Sequence, residues 1–211
     1  MDLIEKTLEN SKPGFRSAAE EHKAVRFEEE CKFAKQALNA NGYLTKVAQN
    51  NTQSLQSAIE NVASCGITLN PIKKHGYLIP RKIAGQPSVV FDISYMGLLH
   101  LAFESGAIIK IDCNVVKEKD TFTLNGINEP PTHQFQPFGE RGKKVGVYCT
   151  AKLSTGDYKN DFMSIEDVYS IRDRSESWKS AQKNGHKNTP WITDEDEMIK
   201  KTIIRRAYKL W

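Results

Sequence analysis

An apolar run of the ~18–20 residues that a membrane helix needs occurs nowhere in this sequence. Its first residues, MDLIEKTLENSKPG, lack the apolar segment of a secretory signal. Cysteine is sparse: Cys31, Cys65, Cys113 and Cys149 lie far apart with no C-x-x-C pair. They read as reduced intracellular thiols, most of them core fillers, rather than a disulfide framework. The five histidines, His22, His75, His100, His133 and His186, show no zinc spacing. The phosphate-cradling G-x-x-x-x-G-K-[ST] motif is missing, and GERGKK (139–144) has neither its spacing nor its hydroxyl. That argues against ATP binding through a P-loop. No H-E-x-x-H, G-x-S-x-G or EF-hand loop occurs, and there is no internal repeat or low-complexity run.

A large charge excess is also missing. The net charge is +4 over 211 residues, which excludes a polycationic tail protein. Its distribution says more. Residues 1–69 carry eight cationic and nine acidic side chains, whereas from 170 onward there are ten cationic and six acidic. Positive charge gathers toward the C-terminus, which suggests an anionic partner.

The hydrophobic pattern predicts helices first and strands afterwards. Residues 1–14 read as a mobile or marginally helical arm ending at Pro13-Gly14. Ser17 to Asn39 reads as one helix stopped by Asn41-Gly42, and 52–65 as a second, ended by Gly66. HGYLIPRKI (75–83) and PSVVFDI (87–93) form a hairpin signal across 84–86. A helix follows over 94–106, with Ser94 as its N-cap. Strands are expected at 107–120, 120–126, 144–153 and 158–165, with a loop over 127–142. A short helix from Ser164 to about Arg172, then a loop with a turn of helix over 175–193, lead to a terminal helix from about 194. Clustered strands with helices before, within and after them predict an α+β fold. In it a β-hairpin and antiparallel strands pack on a central helix, with N-terminal helices and a basic C-terminal helix. The expected division is a helical region, 1–66, and an α+β core, 67–211, within one domain overall.

The last stretch, MIKKTIIRRAYKLW (198–211), has five cationic side chains and no acidic one. At ~100° per residue, Ile199, Ile203, Ala207 and Leu210 share one face. Lys201, Arg205 and Lys209 form a stripe opposite, flanked by Thr202 and Arg206, with Lys200 nearer the apolar side. The acidic run 194–197 suits the positive end of the helix dipole. Thr193 is the expected N-cap, with Asp196 closing a capping box. Such a stripe is either a solvated face or a phosphate-binding one.

Two other segments interleave cations with aromatics. NPIKKHGYLIPRK (70–82) carries Lys73, Lys74, Tyr77 and Arg81. RDRSESWKSAQKNGHK (172–187) carries Arg172, Arg174, Trp178, Lys179, Lys183 and Lys187, and Trp191 follows. Cations that follow phosphates and flat rings that stack on bases are the two ingredients of single-strand binding. The bland alternatives are that Tyr77 faces the core and that Trp191, after Pro190, staples the last helix. A catalytic alternative, a metal-dependent nuclease, would need Asp92, Asp112, Glu118 and Asp120 to converge on an ion. A third alternative is an interaction module that does not anneal DNA.

Three ordered motifs make the chain resemble the RecT family of phage and prophage single-strand annealing recombinases. The first is His75, Tyr77, Leu78 and Pro80. The second is Tyr95, Gly97, Leu101, Ala102, Ser105 and Gly106. The third is Pro190-Trp191, then Met198, Lys200, Lys201, Thr202, Arg205 and Arg206. The likeness covers about residues 55–211. It implies a core like that of eukaryotic annealing proteins and ATP-independent binding and annealing of single-stranded DNA. The DNA would lie in a basic groove running across the subunits of a ring or helical filament. The expected DNA contacts are Lys73, Lys74, Tyr77, Arg81, Tyr95, Arg172, Arg174, Trp178, Lys179, Trp191, Lys200, Lys201, Thr202, Arg205 and Arg206, with the N-terminal helices joining subunits. The resemblance further implies no required cofactor (Mg2+ being a candidate modulator of DNA binding or assembly), no catalytic residue, and no membrane. Its expected partners are single-stranded and annealed duplex DNA, further copies of the chain, a phage exonuclease and a host single-strand-binding protein, in the bacterial cytoplasm. Family members generally continue past the last basic helix, so a C-terminal tail beyond Trp211 is expected to be absent here.

Overall fold

The computed structural model describes residues 2–20, 24–185 and 189–211; His22, His186 and Lys187 lie outside them. The chain forms two compact units, Met1–His100 and Leu101–Trp211. The fold is α+β with antiparallel sheets, as the sequence predicts.

In the first unit, helix α5 (Thr52–Cys65) is the centre. Its apolar residues recur three and four apart, so Leu55, Ile59, Val62 and Ala63 all become fully buried. Helices α1 (Leu3–Asn10) and α2 (Lys12–Ala19) pack on it. The expected loose arm is therefore a folded element: Ile4 and Leu8 are buried, and Pro13 sits in the first turn of α2, where its missing N–H costs nothing. The single helix expected over 17–39 is instead the end of α2 and a separate α3 (Phe27–Ala40). Asn41 ends α3 as expected, but its side chain accepts the Leu44 N–H at 3.1 Å and starts α4 (Gly42–Asn50) at once. Asn51 repeats the device for α5 by accepting the Ser54 N–H. Gly66, at φ 62°, closes α5 in the left-handed region that favours glycine.

The hairpin of β1 (Gly76–Ile83) and β2 (Gln86–Ile93) turns at Ala84-Gly85. It packs on α4 and α5. Leu78 and Val89 enter the helical core, and the Val89 N–H donates to Ser54 Oγ at 2.9 Å. Helix α6 (Tyr95–Glu104) begins in the first unit and ends in the second. Ser94 caps it, accepting the Gly97 N–H at 3.1 Å while donating to the Lys74 carbonyl at 2.5 Å. A Cβ at Gly97 would overlap the His75 carbonyl oxygen, so this glycine is what lets the helix close on the hairpin base.

The second unit is built on an antiparallel sheet of order β3 (Ile108–Lys117), β6 (Lys144–Leu153) and β7 (Tyr158–Ser164). One face carries α10 (Glu195–Ala207), which buries Ile199, Ile203, Ile204 and Ala207. On the other, Tyr148 and Phe162 are cross-strand partners whose rings meet Phe122 of β4 (Thr121–Thr123) at 5.3 and 6.2 Å. Strand β4 is shorter than expected, and its partner β5 (Thr132–Gln134) lies in the segment read as loop. Helix α7 (Ile165–Arg174) is capped by Ser164, which accepts the Asp167 N–H. The expected loop after it is mostly helix: α8 (Glu176–Asn184), capped by Ser175, and α9 (Pro190–Thr193). Its polar composition hid a helix whose one buried position is Ala181.

Asp120 pins the end of β3 to both flanking segments. Its carboxylate accepts from Arg141 Nε at 2.8 Å and from the other Arg141 nitrogen at 2.6 Å, from the Lys117 N–H at 2.7 Å and from His133 Nε2 at 3.1 Å. Its side chain is 1% exposed. The bidentate guanidinium, chiefly, holds the carboxyl well below the usual carboxylate range. The unfolded chain therefore binds this proton at a higher pH than the folded one. The stabilisation is complete above about pH 4, the ordinary aspartate value, and is lost as pH falls from there. Asp120→Ala should lower unfolding stability in urea by about 3–5 kcal/mol at pH 7, the cost of stranding a buried cation. It should also flatten the stability loss that wild type shows below pH 4.

Candidate nucleic-acid interface

The expected contact residues fall into two sets, one in each unit. In the first, Lys73 and Lys74 occupy the turn before β1 and are exposed. Asn70 shapes that turn by accepting the Ile72 N–H at 2.9 Å on its side chain and the Lys73 N–H on its carbonyl. Lys74 has φ 55°, a left-handed conformation held by the Ser94 hydroxyl on its carbonyl. His75, next in the chain, stacks on His100 with ring centroids 4.4 Å apart. Burial, chiefly, with His100 and the Lys73 ammonium close by, holds its pKa below the ordinary histidine value. Alternation along β1 sends Gly76 and Leu78 inward, and leaves Tyr77 and Arg81 exposed on the other face. Tyr77 is 42% exposed, so it does not fill the core. Arg81 meets Asp92 at 3.3 Å. Tyr95, in the first turn of α6, is half-buried.

In the second unit, the expected contacts gather on α7, α8 and α10. Arg172 and Trp178 read from the sequence as separate contacts, one for a phosphate and one for a base. The structure joins them. The Arg172 guanidinium carbon lies 4.3 Å from the centre of the Trp178 ring and 4.2 Å from that of Tyr169. Trp178 stays partly exposed, and Arg174, Lys179 and Lys183, close to it in sequence, are exposed. Tyr169 was not anticipated, because its spacing matches no motif. Its hydroxyl donates to Glu195 at 2.9 Å, which ties the stack to the start of α10.

On α10 the predicted apolar face holds for Ile199, Ile203 and Ala207, while Leu210 is 67% exposed in a closing 3-10 turn. The expected capping box is not formed. Asp194 is the N-cap residue, Thr193 donates to it, and Asp196 pairs instead with Lys144, as does Glu195. The acidic run therefore clamps the helix onto β6 as well as suiting its dipole. Lys201 and Arg205 are half-buried and engaged within the protein. Lys200 meets Glu197 at 3.0 Å. Thr202 returns its hydroxyl to the Met198 carbonyl of its own helix. Arg206 pairs with Asp161 at 2.9 Å. Trp191 is 5% exposed, so its ring sits in the core beside α10 rather than offering a face to a base.

The metal-dependent alternative finds no support among the described residues. Asp112 is bound to Lys110 at 2.8 Å, Asp120 is enclosed by Arg141, and Glu118 accepts the Lys143 N–H. Asp92 lies in the first unit beside Arg81. Among the described residues no group of three histidine, cysteine or acidic side chains could hold a metal ion. No described helix is long and apolar enough to cross a membrane.

Comparison with known proteins agrees with the motif order. The RecT family model matches residues 28–211. Protein RecT of Escherichia coli (strain K12) is 32% identical over 163 residues, covering 75% of this chain and 57% of that protein. The chain thus spans a little over half the length of that relative. A family match that takes in α3 and everything after it, together with this identity, shows that the chain belongs to the RecT family.

Proposed function

We propose that this protein binds single-stranded DNA and anneals it to a complementary strand without ATP, acting in homologous recombination as a template rather than as an enzyme. The observation that carries the reading is the α7–α8 corner. There a partly exposed tryptophan is backed by a guanidinium, in a segment that also carries the exposed Arg174, Lys179 and Lys183. Family membership and the missing P-loop motif support it.

Two complementary strands repel through their phosphates, and a lone strand folds on itself. Lys73, Lys74 and Arg81 in one unit, and Arg174, Lys179, Lys201 and Arg205 in the other, would neutralise the backbone and hold it extended. Rings such as Trp178, Tyr77 and Tyr95 would stack on bases without reading their sequence. Base pairing then carries the specificity. Assembly of copies into a ring or filament, through the N-terminal helical region 1–66, multiplies weak phosphate contacts into avidity. The same reading extends to a bacterial cytoplasmic setting, a phage exonuclease that supplies single strands, a host single-strand-binding protein, and Mg2+ as a modulator of binding or assembly.

The test is annealing of two labelled complementary oligonucleotides without ATP across a salt series. The expected result is pairing well above the spontaneous rate, strands left intact, and activity falling steeply with salt. Strand degradation, or no acceleration and no DNA binding, would overturn it. Lys73→Gln with Lys74→Gln should weaken binding to all sequences alike. It should also reduce the slope of log K against log salt by about 1.4, at ~0.7 per phosphate contact on a single strand; Lys201→Ala with Arg205→Ala should act in the same sense. Trp178→Ala should cost about 1–3 kcal/mol of single-strand affinity, with Trp178→Phe retaining part of it and helix content by circular dichroism unchanged.

A further inference from the structure

The face of the β3–β6–β7 sheet beneath α10 holds two thiols directly opposite each other. Cys113 of β3 and Cys149 of β6 are register partners, and Cys149 is in turn the partner of Asp161 on β7. Helix α10 packs against all three strands and holds the far end of this rung through Arg206 and Asp161. Directly opposed residues on antiparallel strands keep their Cβ atoms about 4.5–5.5 Å apart. A disulfide needs about 3.5–4.5 Å, so closure asks for a movement of roughly 1 Å. Neither thiol is oxidised in the structure.

The two sulfurs sit in different surroundings. Cys149 is 1% exposed, and a hydrogen bond with Cys113 together with burial pushes its thiol up. Cys113 is partly exposed, and Lys200 of α10, whose pKa is raised chiefly by its hydrogen bond to Glu197, also lies near the Cys113 sulfur. The more exposed sulfur is the one a peroxide can reach, and the buried thiol directly opposite it is placed to resolve the product. Cys31 is also partly exposed and lies near Lys35, but it and Cys65 sit on helices α3 and α5, with no cysteine opposite them on a paired strand. Burial pushes Cys31 up to about 12 and also raises Cys65.

We propose that Cys113 and Cys149 form a site of reversible disulfide modification, closed by a hydroperoxide and reopened by a thiol reductant. The Cys113 thiolate attacks one peroxide oxygen. The O–O bond breaks, hydroxide leaves, and Cys113 becomes a sulfenic acid, oxidised by two electrons as the peroxide is reduced. The Cys149 sulfur then attacks the Cys113 sulfur. The S–S bond forms, the S–O bond breaks, and the departing hydroxide takes the Cys149 proton as water. With hydrogen peroxide, two thiols and one peroxide give one disulfide and two waters.

The experiment treats the folded chain with hydrogen peroxide, alkylates the remaining thiols, and maps unreduced peptides by mass spectrometry. The expected result is a loss of two hydrogens, a link between the peptides holding Cys113 and Cys149, and a fall in free thiols from the four of the sequence by two. Dithiothreitol should reverse all three. Cys149→Ser should abolish the link and leave a dimedone-reactive sulfenic acid on Cys113. Free Cys113 and Cys149 after treatment of the wild-type protein, or a link joining other cysteines, would overturn the proposal. The wild-type measurement depends neither on a variant folding nor on any DNA activity.

Discussion

Burial of one side of α10 against the β3–β6–β7 sheet is the constraint from which the second unit follows. Ile199, Ile203, Ile204 and Ala207 leave water together, and at 3.6 residues per turn that fixes the direction of every other side chain on the helix. Arg206 must fall beside β7, where Asp161 meets it. Lys200 falls toward Cys113 of β3. The helix start is held by Lys144, which reaches both Glu195 and Asp196 from the first residue of β6. Glu195 also accepts the Tyr169 hydroxyl, so the same anchor orients the stack of Tyr169, Arg172 and Trp178. The basic segment is thus a core element whose cations appear at its edges.

Many of the expected DNA contacts already have acidic partners, and magnitudes separate them. Arg81 with Asp92, Lys179 with Glu176 and Lys200 with Glu197 are solvent-accessible pairs. Such pairs contribute about 0–1 kcal/mol, so an incoming phosphate can replace the carboxylate at little loss. Arg206 differs. The side chain of Asp161 is only 10% exposed, and burial raises its pKa against the lowering effect of Arg206. Moving Arg206 onto a phosphate would strand a buried carboxylate, which costs several times more than an exposed pair. Arg206 therefore belongs first to the fold, and the exchangeable cations are the ones available to an anion.

The architecture was legible where periodicity and punctuation agreed. Helix α5, the β1–β2 hairpin and the β6–β7 hairpin could be read because each couples an apolar pattern to a Gly or Ser signal, and the apolar face of α10 could be read from its period alone. Helices α4 and α8 were missed for different reasons. Asn41 both stops one helix and caps the next, and a sequence shows only the stop. Helix α8 buries little, so its polar composition resembled a loop. The N-terminal arm, expected to be mobile or marginally helical, is helical, and it runs on past Pro13 because that proline is a first-turn residue of α2 rather than a stop. Of the site, residue identity was legible but partnership was not. Nothing in the spacing announces that Asp120, read as a candidate metal ligand, is enclosed by Arg141 and His133, or that Thr202 turns back on its own helix. Trp191 is buried beside α10, in keeping with the alternative reading that it packs against the last helix rather than offering its ring to a base.

Arg172 shows how a packed contact can still serve a surface. Its side chain is 18% exposed and lies between two rings. A planar guanidinium stacks on aromatic faces while keeping its charge, which a compact ammonium on a flexible stem does not. The arrangement fixes the Trp178 ring with few rotamers left to lose, so less ordering entropy opposes a further layer on that ring. It also sets a permanent cation behind an aromatic plane, beside the exposed Arg174 and Lys179. Arg172→Lys would keep the charge and lose the stack. The geometry therefore assigns Arg172 to positioning Trp178, and leaves phosphate contact at this corner to its exposed neighbours.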